Sequence, residues 1–117
     1  MIPGKYDFKI EQGSDFNLVI QWKARDEDGN DEIVDLTGCS ASMRVKTFND
    51  SEINLSEFLT TNSVENQFEL SIPASETDKF NFHGGVYEFI VTDSVGDLWK
   101  LLKGVIKISK KISNGES

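Results

Sequence analysis

A single histidine, a single cysteine and 20 acidic side chains are the groups with which this 117-residue chain could do chemistry. His83 stands before Gly84-Gly85, where the chain reads as a loop re-entering a strand, and no spacing arranges carboxylates around it as co-ligands for a metal. A Ser-His-Asp relay could be assembled by count, but the Gly-x-Ser-x-Gly elbow that would expose a nucleophilic serine is absent. Cys39 follows Gly38 with no basic neighbour in sequence to hold a thiolate, so it reads as a small core filler. Residues 26–32, Asp-Glu-Asp-Gly-Asn-Asp-Glu, put Asp26, Asp28 and Asn30 in the order that opens an EF-hand loop. The register then fails, because the position that requires glycine is Asp31 and the one that requires the closing glutamate is Thr37. The run reads instead as a solvated hairpin tip whose reversal is Asp28-Gly29. With no glycine-rich phosphate loop either, the expectation is a chain without catalysis, cofactor or metal.

Charge carries more information. The formal net charge is −8, from 20 acids against 12 bases, which disfavours phosphate backbones and anionic membranes as partners. Residues 99–111 hold five lysines and no acid, so the remainder of the chain nets −13. Such a basic closing strand either blunts a sheet edge and pairs with Glu88 or Asp97, or it docks an acidic subunit. The candidate assembly contacts are Lys103, Lys107, Lys110 and Lys111. A terminal strand is expected at a sheet edge, where unpaired backbone groups can meet another chain. One cysteine excludes an internal disulfide and suits a reducing cytoplasm. No apolar run follows the start, and nothing approaches the roughly 20 apolar residues of a membrane span.

The elements that must position these groups are strands. Tyr6, Phe8 and Ile10 alternate with polar residues over 6–11, then Phe16, Leu18, Ile20 and Trp22 do so over 16–22 with Val19 facing outward. After the acidic reversal, Asp35-Leu36-Thr37-Gly38 turns the chain into a strand with Ala41, Met43 and Val45 on one face and Ser42, Arg44 and Lys46 on the other. Residues 47–66 are polar with scattered apolar anchors, and residues 55–59 fit a short strand or a helical turn equally. Phe68, Leu70 and Ile72 alternate up to Pro73, and Ser75 is placed to cap a single helical turn. Tyr87, Phe89 and Val91 alternate next, Asp93 to Asp97 forms a hairpin turn, and Ile106 and Ile108 mark a closing strand from Gly104. Residues 110–117 read as a frayed polar tail. About seven short strands with turn residues between them predict one all-β domain over residues 1–117, an immunoglobulin-like Greek-key β-sandwich, with a small closed barrel as the alternative.

The order of these motifs adds a resemblance. Gln12-Gly13-Ser14-Asp15-Phe16 before the strand ending in Trp22, Asp28-Gly29-Asn30, Asp35 to Gly38 and residues 41–45 resemble small structural proteins of tailed bacteriophages. Residues 68–73 and 75–80, Gly85 to Phe89, Asp93 to Gly96 and Leu102-Lys103-Gly104 continue the likeness in order, so that it covers residues 6–109. It implies an immunoglobulin-like sandwich similar to the N-terminal domain of phage baseplate upper proteins. It further implies a virion building block of the tail, baseplate or neck, made in the host cytoplasm and assembling with other virion proteins as a homo-oligomer within the particle. Proteins of this kind often carry further segments such as fibres, and this sequence covers one domain, which keeps open an adaptor, a tail component or a capsid decoration protein. A host-surface glycan-binding module is the reading from another class, with Trp99, Phe80 and Phe82 as the aromatics left off the expected core faces.

Overall fold

Two hydrogen-bonded sheets face each other across a shared apolar core, as the computed structural model, which describes residues 4–25 and 27–110, lays out the chain. The larger sheet contains β1 (Gly4–Lys5), β2 (Phe8–Glu11), β6 (Ser40–Thr47), β7 (Glu52–Asn54), β10 (Gly84–Thr92) and β11 (Leu98–Ser109). Its order is β1–β11–β10–β6–β7, with β2 also alongside β11. The smaller sheet runs β3–β9–β8, from β3 (Phe16–Ile20), β8 (Leu59–Asn62) and β9 (Gln67–Ile72). A separate hairpin, β4 (Lys23–Arg25) with β5 (Asp31–Ile33), completes the strands. The expected all-β class therefore holds, and both sheets keep free edges, so the architecture is not a closed barrel.

Alternation explains which face of each strand is inside. Met43 and Val45 of β6, Tyr87, Phe89 and Val91 of β10, and Ile106 and Ile108 of β11 are buried on the inner face of the larger sheet. Phe68, Leu70 and Ile72 of β9 and Ile20 of β3 answer from the smaller one. The rings of Phe68 and Phe89 meet edge to face across the layers at 5.3 Å, and Phe8 stacks on Phe16 at 5.2 Å. Each such pair adds about 0.5–1.5 kcal/mol beyond the apolar area it buries.

The turns are built as their residues dictate. Gly13, Gly29, Gly38 and Gly96 all take positive φ, between 79° and 93°, where a side chain would be strained. Asp35 Oδ1 accepts from the Thr37 amide at 2.9 Å and from its hydroxyl at 2.7 Å, closing the turn that feeds β6.

Four expectations need correction. Residues 6–11 are not one strand, because the chain steps aside at Tyr6 and Asp7 between β1 and β2. The closing strand begins at Leu98 and not at Gly104, and it is interior, with β10 on one side and β1 and β2 in parallel on the other. Period-two alternation reports a buried face and says nothing of the neighbour, so it does not tell an interior terminal strand from an edge strand. The helical turn α1 (Ala74–Thr77) takes no side-chain cap from Ser75; Asp15 Oδ1, distant in sequence, accepts from the Ala74 amide at 2.7 Å. Residues 55–59 combine both readings, a single 3₁₀ turn (Ser56–Phe58) leading into β8. Lys111 and all but the first residue of the expected 110–117 tail lie outside the described residues. No helix among the described residues is long and apolar enough to cross a membrane.

Candidate functional site

The inner face of the larger sheet is spent on the core, so what it can offer another molecule is its outer face. Lysines at 100, 103 and 107 cannot all share a face in a regular strand, since the first spacing is odd and the second even. The register between β10 and β11 shifts between Phe89 and Ile90, which pair with Leu102 and Lys100, leaving Leu101 as an extra residue. This β-bulge reverses the facing of the strand, and Lys100, Lys103 and Lys107 all turn outward. The neighbouring strands add Lys5 opposite Lys103, Lys9 opposite Lys107, and Arg44 and Lys46 on β6. A shallow groove of about 800 Å³ crosses this face, with Val86, Ile90, Leu98 and Val105 in its lining beside Lys5, Arg44 and Lys103. Leu98 is 71% exposed and Val86 50%, so its apolar lining is open to solvent.

Part of the charge is neutralised in place. Lys100 Nζ lies 3.2 Å from Glu88, Arg44 lies 3.9 Å from Glu52 and Lys46 lies 3.8 Å from Asp50, all exposed pairs that contribute little stability. Lys5, Lys9, Lys103 and Lys107 form no ion pair among the described residues. They stand as two like-charged pairs, Lys5 opposite Lys103 and Lys9 opposite Lys107, an arrangement that disfavours the bare sheet.

The lysines are held together by the crossing at Tyr6 and Asp7. The Tyr6 amide donates to the Lys103 carbonyl at 3.0 Å, and Asp7 Oδ1 accepts from the Val105 amide at 2.8 Å. The Tyr87 hydroxyl, reaching from the core, donates to the Tyr6 carbonyl at 2.5 Å. Burial, then the nearby Asp7 carboxylate, pushes the Tyr87 hydroxyl up to about 12. Gly104 is required here, because a Cβ at this position would run into the Tyr6 carbonyl oxygen.

Of the candidate contacts, Lys103 and Lys107 share this face. Lys110 does not belong with them, since its ammonium donates to the Phe80 carbonyl at 3.0 Å. Sequence reading passed over Lys5 and Lys9, whose outward alternation was visible but whose placement beside β11 was not. It also passed over Phe48, 63% exposed after β6. The aromatics considered for glycan binding are engaged. Phe82 is 4% exposed, Phe80 packs on it at 5.4 Å, and Trp99 packs on Trp22 at 5.5 Å while its Nε1 donates to Asp93 Oδ2 at 2.9 Å. Cys39 is half-buried, and desolvation followed by the Asp93 charge raises its thiol pKa, which weakens it as a nucleophile. His83 is exposed, and its carbonyl accepts from the Ile108 amide at 2.9 Å. No protein-family model matches the chain, and no curated protein matches it.

Proposed function

We propose that the chain is a non-enzymatic structural protein of a tailed-bacteriophage virion, a tail, baseplate or neck component or adaptor that works through contacts with copies of itself and with other virion proteins. The observation that carries the assembly role is the outer face of the larger sheet, where Lys5, Lys9, Lys103 and Lys107, with no ion pair among the described residues, share a face with the exposed apolar Val86 and Leu98 in a chain of net charge −8. A face of this kind suits selective contact with acidic protein surfaces, since charge there sets partner and orientation more than affinity. The virion setting rests on the resemblance of residues 6–109 to phage structural proteins.

An immunoglobulin-like Greek-key sandwich is the finer fold we assign. The strand order β11–β10–β6–β7 facing β3–β9–β8 supports it, because it follows the G-F-C-C′ and B-E-D orders of a variable-type domain. The acidic hairpin β4–β5 then occupies the connection between strands B and C. The test is to purify the phage particles whose genome encodes the chain, identify their proteins by mass spectrometry and place the domain in a whole-particle reconstruction. Stoichiometric presence at a symmetric tail, baseplate or neck position is expected, and absence from purified particles would overturn the proposal.

A further inference from the structure

The hairpin β4–β5 stands apart from the rest of the fold. Its two strands form a sheet of their own among the described residues, and all of their residues are exposed. It is rooted where the Val34 amide donates to the Trp22 carbonyl at 2.8 Å, and an ion pair of Arg25 with Asp31 at 3.7 Å closes within it. A two-stranded hairpin with neither face covered is marginal in water, so a partner surface would supply the packing that the domain does not. Glu27, Asp28, Asp31 and Glu32 outnumber Lys23 and Arg25 and make it acidic on balance, with Gly29 at its turn.

The unpaired lysine pairs on the outer face of the larger sheet have the opposite need. Lys103 and Lys107 are four residues apart on β11, which spaces the two pairs by roughly 13 Å along the strand. Glu32 lies three residues from Gly29 on the hairpin, which spaces it roughly 10 Å from the turn that carries Glu27 and Asp28. Two acidic points and two basic points therefore match in sign and in scale.

We propose that the acidic hairpin of one copy docks on the outer face of the larger sheet of a second copy, its turn and Glu32 meeting the Lys5–Lys103 and Lys9–Lys107 pairs. This names the partner within the assembly role proposed above and rests on that reading only for its setting. Because it is tested with the purified full chain in solution and the virion role is tested in particles, either can fail alone. Donor and acceptor surfaces differ, so two copies can exchange hairpins reciprocally or link onward into a ring or filament. A contact this small is weak singly and gains from the high local concentration inside a particle.

Sedimentation velocity from about 10 µM to about 1 mM protein reads the association. At about 0.1 M salt the Debye length is roughly 10 Å, so the repulsion between two acidic bodies is screened while contacts at hydrogen-bonding distance persist. Self-association is expected there and is lost at about 1 M salt, where even close exposed pairs are screened. Glu27→Lys with Glu32→Lys brings the net charge from −8 to −4, which weakens general repulsion, yet it is expected to lower the association constant at least about tenfold. Lys103→Glu with Lys107→Glu is expected to do the same, and mixing the two variants to restore association. Circular dichroism checks that each variant is folded, and if a reversal misfolds, the neutral Glu27→Gln with Glu32→Gln form replaces it, with about a threefold loss expected. A wild-type protein that stays monomeric at about 0.1 M salt, a hairpin reversal that leaves association unchanged or strengthens it, or folded variants that fail to complement each other would overturn the proposal.

Discussion

Replacing Tyr87 by phenylalanine tests whether the core pins the segment that keeps Lys5 and Lys9 beside β11. The ring stays buried, so the substitution removes only the hydroxyl that donates to the Tyr6 carbonyl. A hydrogen bond of this kind contributes about 0.5–1.5 kcal/mol net. We take about 1 kcal/mol, the middle of that range, as the cost at pH 7. With unfolding entropy near 2.1 cal/mol/K per residue, that lowers the melting temperature of a chain this size by about 4 °C.

The pH dependence supplies a second reading of the same contact. The folded hydroxyl titrates at about 12 against an ordinary value of 10.0, so its contribution is fully present below pH 10 and is lost as pH rises through 12. Two units correspond to about 2.7 kcal/mol at most, and since the hydroxyl end reaches the edge of the groove we discount this to about 1–2 kcal/mol. Urea titrations of the wild type and of Tyr87→Phe, followed by tryptophan fluorescence between pH 7 and pH 11.5, would measure both quantities. The stability difference between the two proteins should shrink or reverse above pH 10. A difference that is constant over the whole range would refute the reasoning, because it would mean that the hydroxyl is solvated in the folded protein.

Gly104→Ala should cost about 1–3 kcal/mol in urea denaturation, because the new methyl meets the Tyr6 carbonyl, and amide exchange at Lys5 and Tyr6 should accelerate. Asp93 accepts from the Val95 and Asp97 amides as well as from Trp99, and the Trp99 hydrogen bond leads in holding its carboxyl below the ordinary value. Its contribution is therefore present above about pH 4 and lost as pH falls through the folded value, so Asp93→Ala should flatten the acid limb of a stability–pH curve and alter tryptophan emission at pH 7; an unchanged acid limb would show that the turn holds without the carboxylate.

Strand identity and facing were legible in the sequence wherever apolar and polar residues alternated, as at Phe16, Leu18 and Ile20 or at Tyr87, Phe89 and Val91, because one buried face imposes a period of two. Turns were legible for a related reason, since Gly29, Gly38 and Gly96 occupy backbone conformations that other residues adopt only under strain. The basic character of the closing strand was equally plain. What the strand lies beside was not, because partner choice depends on contacts between residues about a hundred positions apart, and only the tertiary fold brings Lys5 and Lys9 against Lys103 and Lys107. The bulge at Leu101 belongs to the same class, since a single unpaired residue exists only relative to β10, and it is this residue that turns Lys100 onto the face of Lys103. Capping of α1 by Asp15 and not by Ser75, and the burial of Phe82, were likewise decided by which chains meet in space, where local propensity is silent.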